Sequence, residues 1–134
     1  MTSTVKYLGE LRTEAIHLSS SQKLITDAPV DNQGKGEAFS PTDTVATGLA
    51  SCILTILGIK SNTLDVDLKD TRAEVVKVMA SNPRRITEIK IDISFPQAVD
   101  AKTKLILERA ALSCPVAQSL HPDLKQNINF HWPD

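Results

Sequence analysis

The chain has 134 residues, 41% of them hydrophobic and 23% charged, with a formal net charge of −1. This is the composition of one ordinary globular domain spanning residues 1–134, not of a disordered or low-complexity segment. Acids and bases are interspersed, with no basic patch to attract nucleic acid or an anionic membrane surface, so the expected partners are small molecules or a second copy of the chain.

The first segment, Met1 to His17, carries Lys6, Glu10, Arg12 and Glu14. It has no apolar core of signal-peptide length, which predicts a cytoplasmic protein. Thr4 to His17 and Gln22 to Asp27 read as two strands joined through Ser19-Ser20-Ser21, with partial alternation in the first. Pro29 to Gly36 then collects Pro, Asp, Asn and two glycines, the chemistry of a loop.

Ser40-Pro41-Thr42-Asp43 is a helix start. Ser40 can cap, Pro41 suits the first helical position, and Asp43 can reach back to the cap amide. The helix is expected to run to about Lys60. Its residues from Val45 through Leu49, Cys52, Ile53, Ile56, Leu57 and Ile59 are apolar or small nearly all the way round, which predicts a helix surrounded by protein. A domain of this size buries a limited share of its surface, so a second subunit is the expected source of that cover. The apolar run Val45 to Ile59 is shorter than the roughly 20 residues a bilayer requires.

Thr71 to Met79 and Ile86 to Phe95 form the clearest hairpin, joined by Ala80 to Arg85; Ile89, Ile91, Ile93 and Phe95 alternate with Lys90, Asp92 and Ser94. Arg84 and Arg85 in that turn read as solvated. Ala101 to Ser113 is a second helix. Pro115 disfavours helical geometry at Cys114, so the chain is expected to break there and restart as a short helix to about Leu120. Lys125 to Trp132 closes as a strand, with Ile128, Phe130 and Trp132 on one side. The order is that of an α+β fold.

The chemistry rests on two cysteines. Cys52 lies mid-helix, one turn after Gly48, which leaves room for close approach by another element. Such a cysteine serves either as a small buried hydrophobe or as a reactive thiol. Cys114 is expected at the N-cap of the helix that starts at Pro115, where partial positive charge favours a thiolate. Together they suggest a redox couple in which one thiolate is oxidised to a sulfenic acid and condenses with the other thiol. Their separation of 62 positions leaves contact to the fold. His17, His121 and His131 lack ligand spacing for zinc. Gly34-Lys35-Gly36 lacks the pattern of a phosphate loop, and no G-x-S-x-G supports a hydrolase.

The segments Ser40-Pro41-Thr42-Asp43 to Ala50-Ser51-Cys52 and Ala110-Ala111-Leu112-Ser113-Cys114-Pro115-Val116 together resemble the OsmC/Ohr family of osmotically inducible and organic hydroperoxide resistance proteins. The order of hairpin, long buried helix, hairpin, helix with a Cys-Pro break and final strand also resembles that family's plan. The resemblance implies an intertwined homodimer with its active site at the subunit interface. It implies that Cys52 is the peroxidatic cysteine, Cys114 the resolving one, and Arg12 the arginine that holds thiolate and peroxide.

The implied activity is that of a thiol-dependent peroxidase. A hydroperoxide is reduced to an alcohol and water, and a dithiol or thiol protein returns the reducing equivalents without metal or flavin. The family's glutamate that orients the arginine matches Thr42 here, with Asp43 beside it. At about 100° per residue, Asp43 and Cys52 point to opposite sides of a straight helix, and Thr42 carries no charge. The alternatives are a non-catalytic protein that binds a small apolar or thiol-reactive molecule at the dimer interface, and a structural dimer whose cysteines only pack.

Overall fold

A computed structural model describes residues 1–134. Residues Met1–Val45 and Ala46–Asp134 form two compact units.

In the first unit, strands β1 (Ser3–Gly9), β2 (Arg12–His17) and β3 (Lys23–Asp27) form an antiparallel sheet in that order. The single strand predicted over Thr4 to His17 is thus two strands. The chain reverses where Gly9, Glu10 and Leu11 take φ of 87°, 53° and 62°. Left-handed Glu and Leu are uncommon, and no Asn-Gly or Asp-Gly pair announces this turn. The serine turn falls as expected: His17 N–H donates to the Gln22 carbonyl at 2.8 Å, closing the loop Leu18 to Ser21. That closure fixes the register and sets Arg12 directly opposite Asp27.

The loop after β3 folds back on itself. Gly34 and Gly36 N–H donate to the carbonyls of Pro29 and Ala28. A Cβ on residue 34 would lie 1.7 Å from the Ala28 carbonyl oxygen, so only glycine fits there. The sheet itself buries little, and on β1 Val5 is 65% and Tyr7 63% exposed.

Helix α1 (Pro41–Thr63) starts in this unit with the predicted cap. Ser40 N–H donates to Asp43 Oδ2 at 2.9 Å, and Asp43 N–H donates to Ser40 Oγ at 3.0 Å. This is a reciprocal capping box with aspartate in place of the usual glutamate.

In the second unit, α1 continues and is followed by β4 (Arg72–Ala80), β5 (Arg85–Ser94), α2 (Ala101–Ala111), α3 (Pro115–Ser119) and β6 (Lys125–His131). β4 and β5 pair antiparallel, while β6 pairs parallel with β5. Parallel neighbours need a crossover, here supplied by α2 and α3, so this α+β chain contains one βαβ unit that the element order alone did not reveal. Phe95 and Trp132 stack with ring centroids 3.5 Å apart, and Trp132 Nε1 donates to Glu108 on α2 at 3.2 Å. The ends of β5 and β6 are thereby fastened to the crossover.

Ala46, Leu49, Ala50, Ile53 and Leu57 of α1 form one core with Ile89, Ile91 and Ile93 of β5 and with Leu107, Ala111 and Cys114. The alternation predicted for β5 is therefore the core face of the sheet. At 23 residues α1 is long and apolar enough to cross a membrane, so length does not decide the matter. Its buried stripe is core. The expectation that the helix is surrounded does not hold within one chain, where Val45, Ser51, Thr55 and Ile59 lie exposed on the opposite stripe. The space beside Gly48, expected to admit another element, is open: a Cβ there would meet nothing within 4 Å.

Candidate functional site

Cys52 and Cys114, far apart in sequence, are brought together in the second unit. Cys52 sits half-buried on α1, packed against the core, and both thiols are free. Cys114 is fully buried at the N-cap of α3, with φ −65° and ψ 150°, and Pro115 occupies the first helical position. These dihedrals are the extended geometry that the following proline imposes.

The Cys114 sulfur accepts the Ala117 N–H at 3.4 Å. Ser113 N–H donates to the Ala110 carbonyl at 3.1 Å, and Gln126 Nε2 on β6 donates to the Ala117 carbonyl at 3.0 Å. The Cys114 position is held from both sides by α2 and β6.

The expected lowering of the Cys114 pKa is corrected by its environment. Burial foremost pushes the thiol up; the Ala117 amide pulls it down, the neighbouring Cys52 pushes it up again, and the Val116 amide pulls it down more weakly. A five-residue helix offers two amides but does not offset complete removal from water. The protonated thiol is therefore the favoured form of Cys114, in the core cluster against which Cys52 packs. Of the two, the half-buried Cys52 is the thiol open to an incoming reagent.

A second polar cluster lies in the first unit around Arg12. Its guanidinium makes a two-pronged contact with Asp27, Nε to Oδ1 at 2.7 Å and Nη2 to Oδ2 at 2.8 Å, and Nη2 also donates to Glu37 Oε1 at 3.1 Å. Asp27 is 1% exposed, and its Oδ2 also accepts the Glu37 N–H at 3.1 Å. The hydrogen bonds from Arg12 are the main cause holding the Asp27 carboxyl below the usual carboxylate range, against its burial. Asp27 in turn is the main cause that keeps Arg12 firmly charged. Beside them Lys35 Nζ meets Glu10 Oε2 at 2.7 Å, pinning the loop to the β1–β2 turn.

The other two predicted site residues belong to the helix start. Asp43 completes the capping box, and Thr42 Oγ1 lies 3.2 Å from Ser40 Oγ. Sequence reasoning missed Asp27 and Glu37. A signal for Asp27 existed: a four-residue loop closing at His17 and Gln22 counts Arg12 onto Asp27, an opposite-charge cross-strand pair. Glu37 carried none, because its place depends on how the loop folds back. His17 has a local partner in Ser20 at 2.6 Å, and His131 on β6 pairs with Asp92 on the neighbouring strand β5 at 2.9 Å.

Comparison with known proteins places this arrangement. The sequence profile described as OsmC-like protein matches residues 34–129. A crystal structure of a Psychrobacter arcticus protein, provisionally named for osmotic stress induction and a detoxification response, is 59% identical. The alignment covers 98% of this chain and 96% of that one with a TM-score of 0.95. The fold recurs in an OsmC-like protein from Mycoplasma pneumoniae at 19% identity and a TM-score of 0.79, with 98% and 96% of the two chains covered. It recurs again in an organic hydroperoxide resistance protein OsmC from Legionella pneumophila at 16% identity and a TM-score of 0.77, with 98% and 97% covered. No functionally curated protein matches the sequence.

Proposed function

The chain belongs to the OsmC-like protein family, and from that premise we propose that it is a thiol-dependent peroxidase working through Cys52 and Cys114. The observation that carries this reading is the thiol pair itself: a half-buried Cys52 against a fully buried Cys114 whose thiol the surroundings keep protonated. The similarity to a protein named for hydroperoxide resistance supports peroxide as the oxidant class.

The Cys52 thiolate attacks the terminal oxygen of the hydroperoxide, the O–O bond breaks, and the departing alkoxide takes a proton to leave as alcohol. Cys52 is now a sulfenic acid. Cys114 sulfur attacks it, its proton leaves with the displaced hydroxide as water, and a disulfide remains. An external dithiol or thiol protein supplies two electrons and two protons to restore both thiols. The cycle suits the cytoplasm, where thiols are kept reduced. Arg12 serves as the cation that steadies the thiolate and donates to peroxide oxygens.

The working unit in this reading is a homodimer. Two observations support it: Val45 and Ile59 on the outer stripe of α1, 40% and 59% exposed, and the open space beside Gly48.

The test is the thiol titre of reduced protein during stoichiometric addition of cumene hydroperoxide, with intact-mass analysis of wild type and Cys52→Ser. Loss of two thiols with a mass decrease of about 2 Da, absent from the variant, is the expected result. Survival of both thiols in excess peroxide sinks the peroxidase reading and turns attention to ligand binding at the interface.

A further inference from the structure

We propose that Gln126 is the positioning residue of the disulfide-forming step: from β6 it holds the first turn of α3 so that the Ala117 N–H stays aimed at the Cys114 sulfur. The inference rests on the peroxidase reading given above, in which Cys114 closes the disulfide.

Gln126 is an exception in its strand. In the parallel pairing of β5 with β6, Gln126, Ile128 and Phe130 lie opposite Ile89, Ile91 and Ile93, and those isoleucines are fully buried. Position 126 therefore belongs to the core-facing row of β6, in which Ile128 and Phe130 are apolar and Gln126 alone carries an amide. An amide placed there needs a partner within the protein. Its Nε2 finds one in the Ala117 carbonyl at 3.0 Å, a part-buried contact.

The element it holds is too short to hold itself. α3 has five residues, well under the ~12–15 at which an isolated helix becomes even marginally stable. Ala117 is tied at both ends of its backbone, its N–H to the Cys114 sulfur at 3.4 Å and its carbonyl to Gln126. When Cys114 attacks the Cys52 sulfenic acid, an S–S bond forms and the S–O bond breaks. The Cys114 proton leaves with the displaced hydroxide as water. Negative charge gathers on the Cys114 sulfur as that proton departs, in a fully buried place that disfavours it. The Ala117 N–H is the donor that meets this charge, and a hydrogen bond to a charged acceptor is roughly twice as strong as one to a neutral acceptor. Gln126 touches no reacting atom; it keeps that donor in place. The attack of Cys52 on peroxide does not pass through it.

The experiment is a rapid-quench time course of reduced protein with excess cumene hydroperoxide, comparing wild type with Gln126→Met, which keeps the length of the side chain and removes its amide donors. Loss of the Cys52 thiol reports the first step. Sulfenic acid trapped by dimedone, against disulfide, reports the second by intact mass. Cys52 oxidation is expected at the wild-type rate, while disulfide formation slows on the order of 10-fold, the scale of a misplaced group at a reacting centre. The rise of that second rate with pH should also move to higher pH, because the Ala117 amide no longer favours the Cys114 thiolate. General loss of stability does not produce that displacement. Circular dichroism verifies folding, and Gln126→Glu, which keeps the shape and lacks N–H donors, takes the place of Gln126→Met if the latter does not fold.

Disulfide formation at wild-type speed in the variant overturns the proposal and leaves the peroxidase reading standing. So does equal slowing of both steps, or slowing of the second with an unmoved pH profile, either of which marks Gln126 as a structural support alone. A wild-type protein whose Cys52 resists peroxide, or whose oxidised form holds no Cys52–Cys114 disulfide, instead overturns the underlying reading, and the proposal with it.

Discussion

Replacing Ile59 and Ile53 by alanine, one at a time, separates the two stripes of α1 and tests whether its outer stripe is an interface. Ile53 is 1% exposed in the core, and truncating such a side chain costs about 2–5 kcal/mol of stability. Ile59 is 59% exposed within one chain, so an isolated chain should tolerate its truncation to within about 0.5 kcal/mol. If a second copy covers this stripe, the account changes. Full burial of an isoleucine side chain contributes about 1.5–3 kcal/mol, and 59% of that is about 1–2 kcal/mol still to be gained by association. Alanine forfeits most of it, and two-fold symmetry counts it twice, so the dimer should weaken by about 2 kcal/mol, near a 30-fold rise in dissociation constant. Sedimentation velocity across a dilution series reads that shift directly, and urea unfolding at high protein concentration reads Ile53→Ala. An Ile59→Ala protein that associates as tightly as wild type, or a wild type that is monomeric throughout, refutes the assignment of this stripe to a partner copy.

Other outcomes follow from single groups. The thiol of Cys114 is held above its ordinary pKa by burial, so the folded state keeps a proton that the unfolded chain gives up first. Stability is then fully present below the ordinary thiol value of about 8.5 and declines as pH rises past it toward the folded value. The reduced protein's urea midpoint should fall between pH 8 and 10 by more than that of Cys114→Ser, and parallel curves would contradict the burial argument. Iodoacetamide should label Cys52 before Cys114 in the folded protein, as peptide mapping would show. Ser40→Ala removes the acceptor that Asp43 N–H uses and should cost about 1 kcal/mol by urea denaturation. Gly34→Ala puts a Cβ into the Ala28 carbonyl, so the loop must open, and limited proteolysis should cut within residues 28–39 faster than in wild type.

Much of this molecule follows from local sequence because the interactions responsible are local. The Ser40–Asp43 box, the proline break after Cys114 and the two-residue alternation along β5 each depend on neighbours within a few positions, and all three form where the residues predict them. The turn at Glu10–Leu11 escaped because left-handed backbone at two ordinary residues leaves no compositional mark. The parallel pairing of β6 with β5 escaped because strand direction within a sheet is set by the path of the crossover, not by the strand's own residues.

The site divides in the same way. Sequence by itself named the two cysteines, the capped helix that carries one and the Cys-Pro break that carries the other. Only the tertiary structure decided that Cys52 packs against the core cluster that holds Cys114, that burial outweighs a short helix's amides at Cys114, and that Asp27 and Glu37 hold Arg12. The reason is physical: a side chain's water, charge and hydrogen-bond partners come from residues distant in sequence, and the distance of 15 positions between Arg12 and Asp27 closes only when β2 and β3 pair.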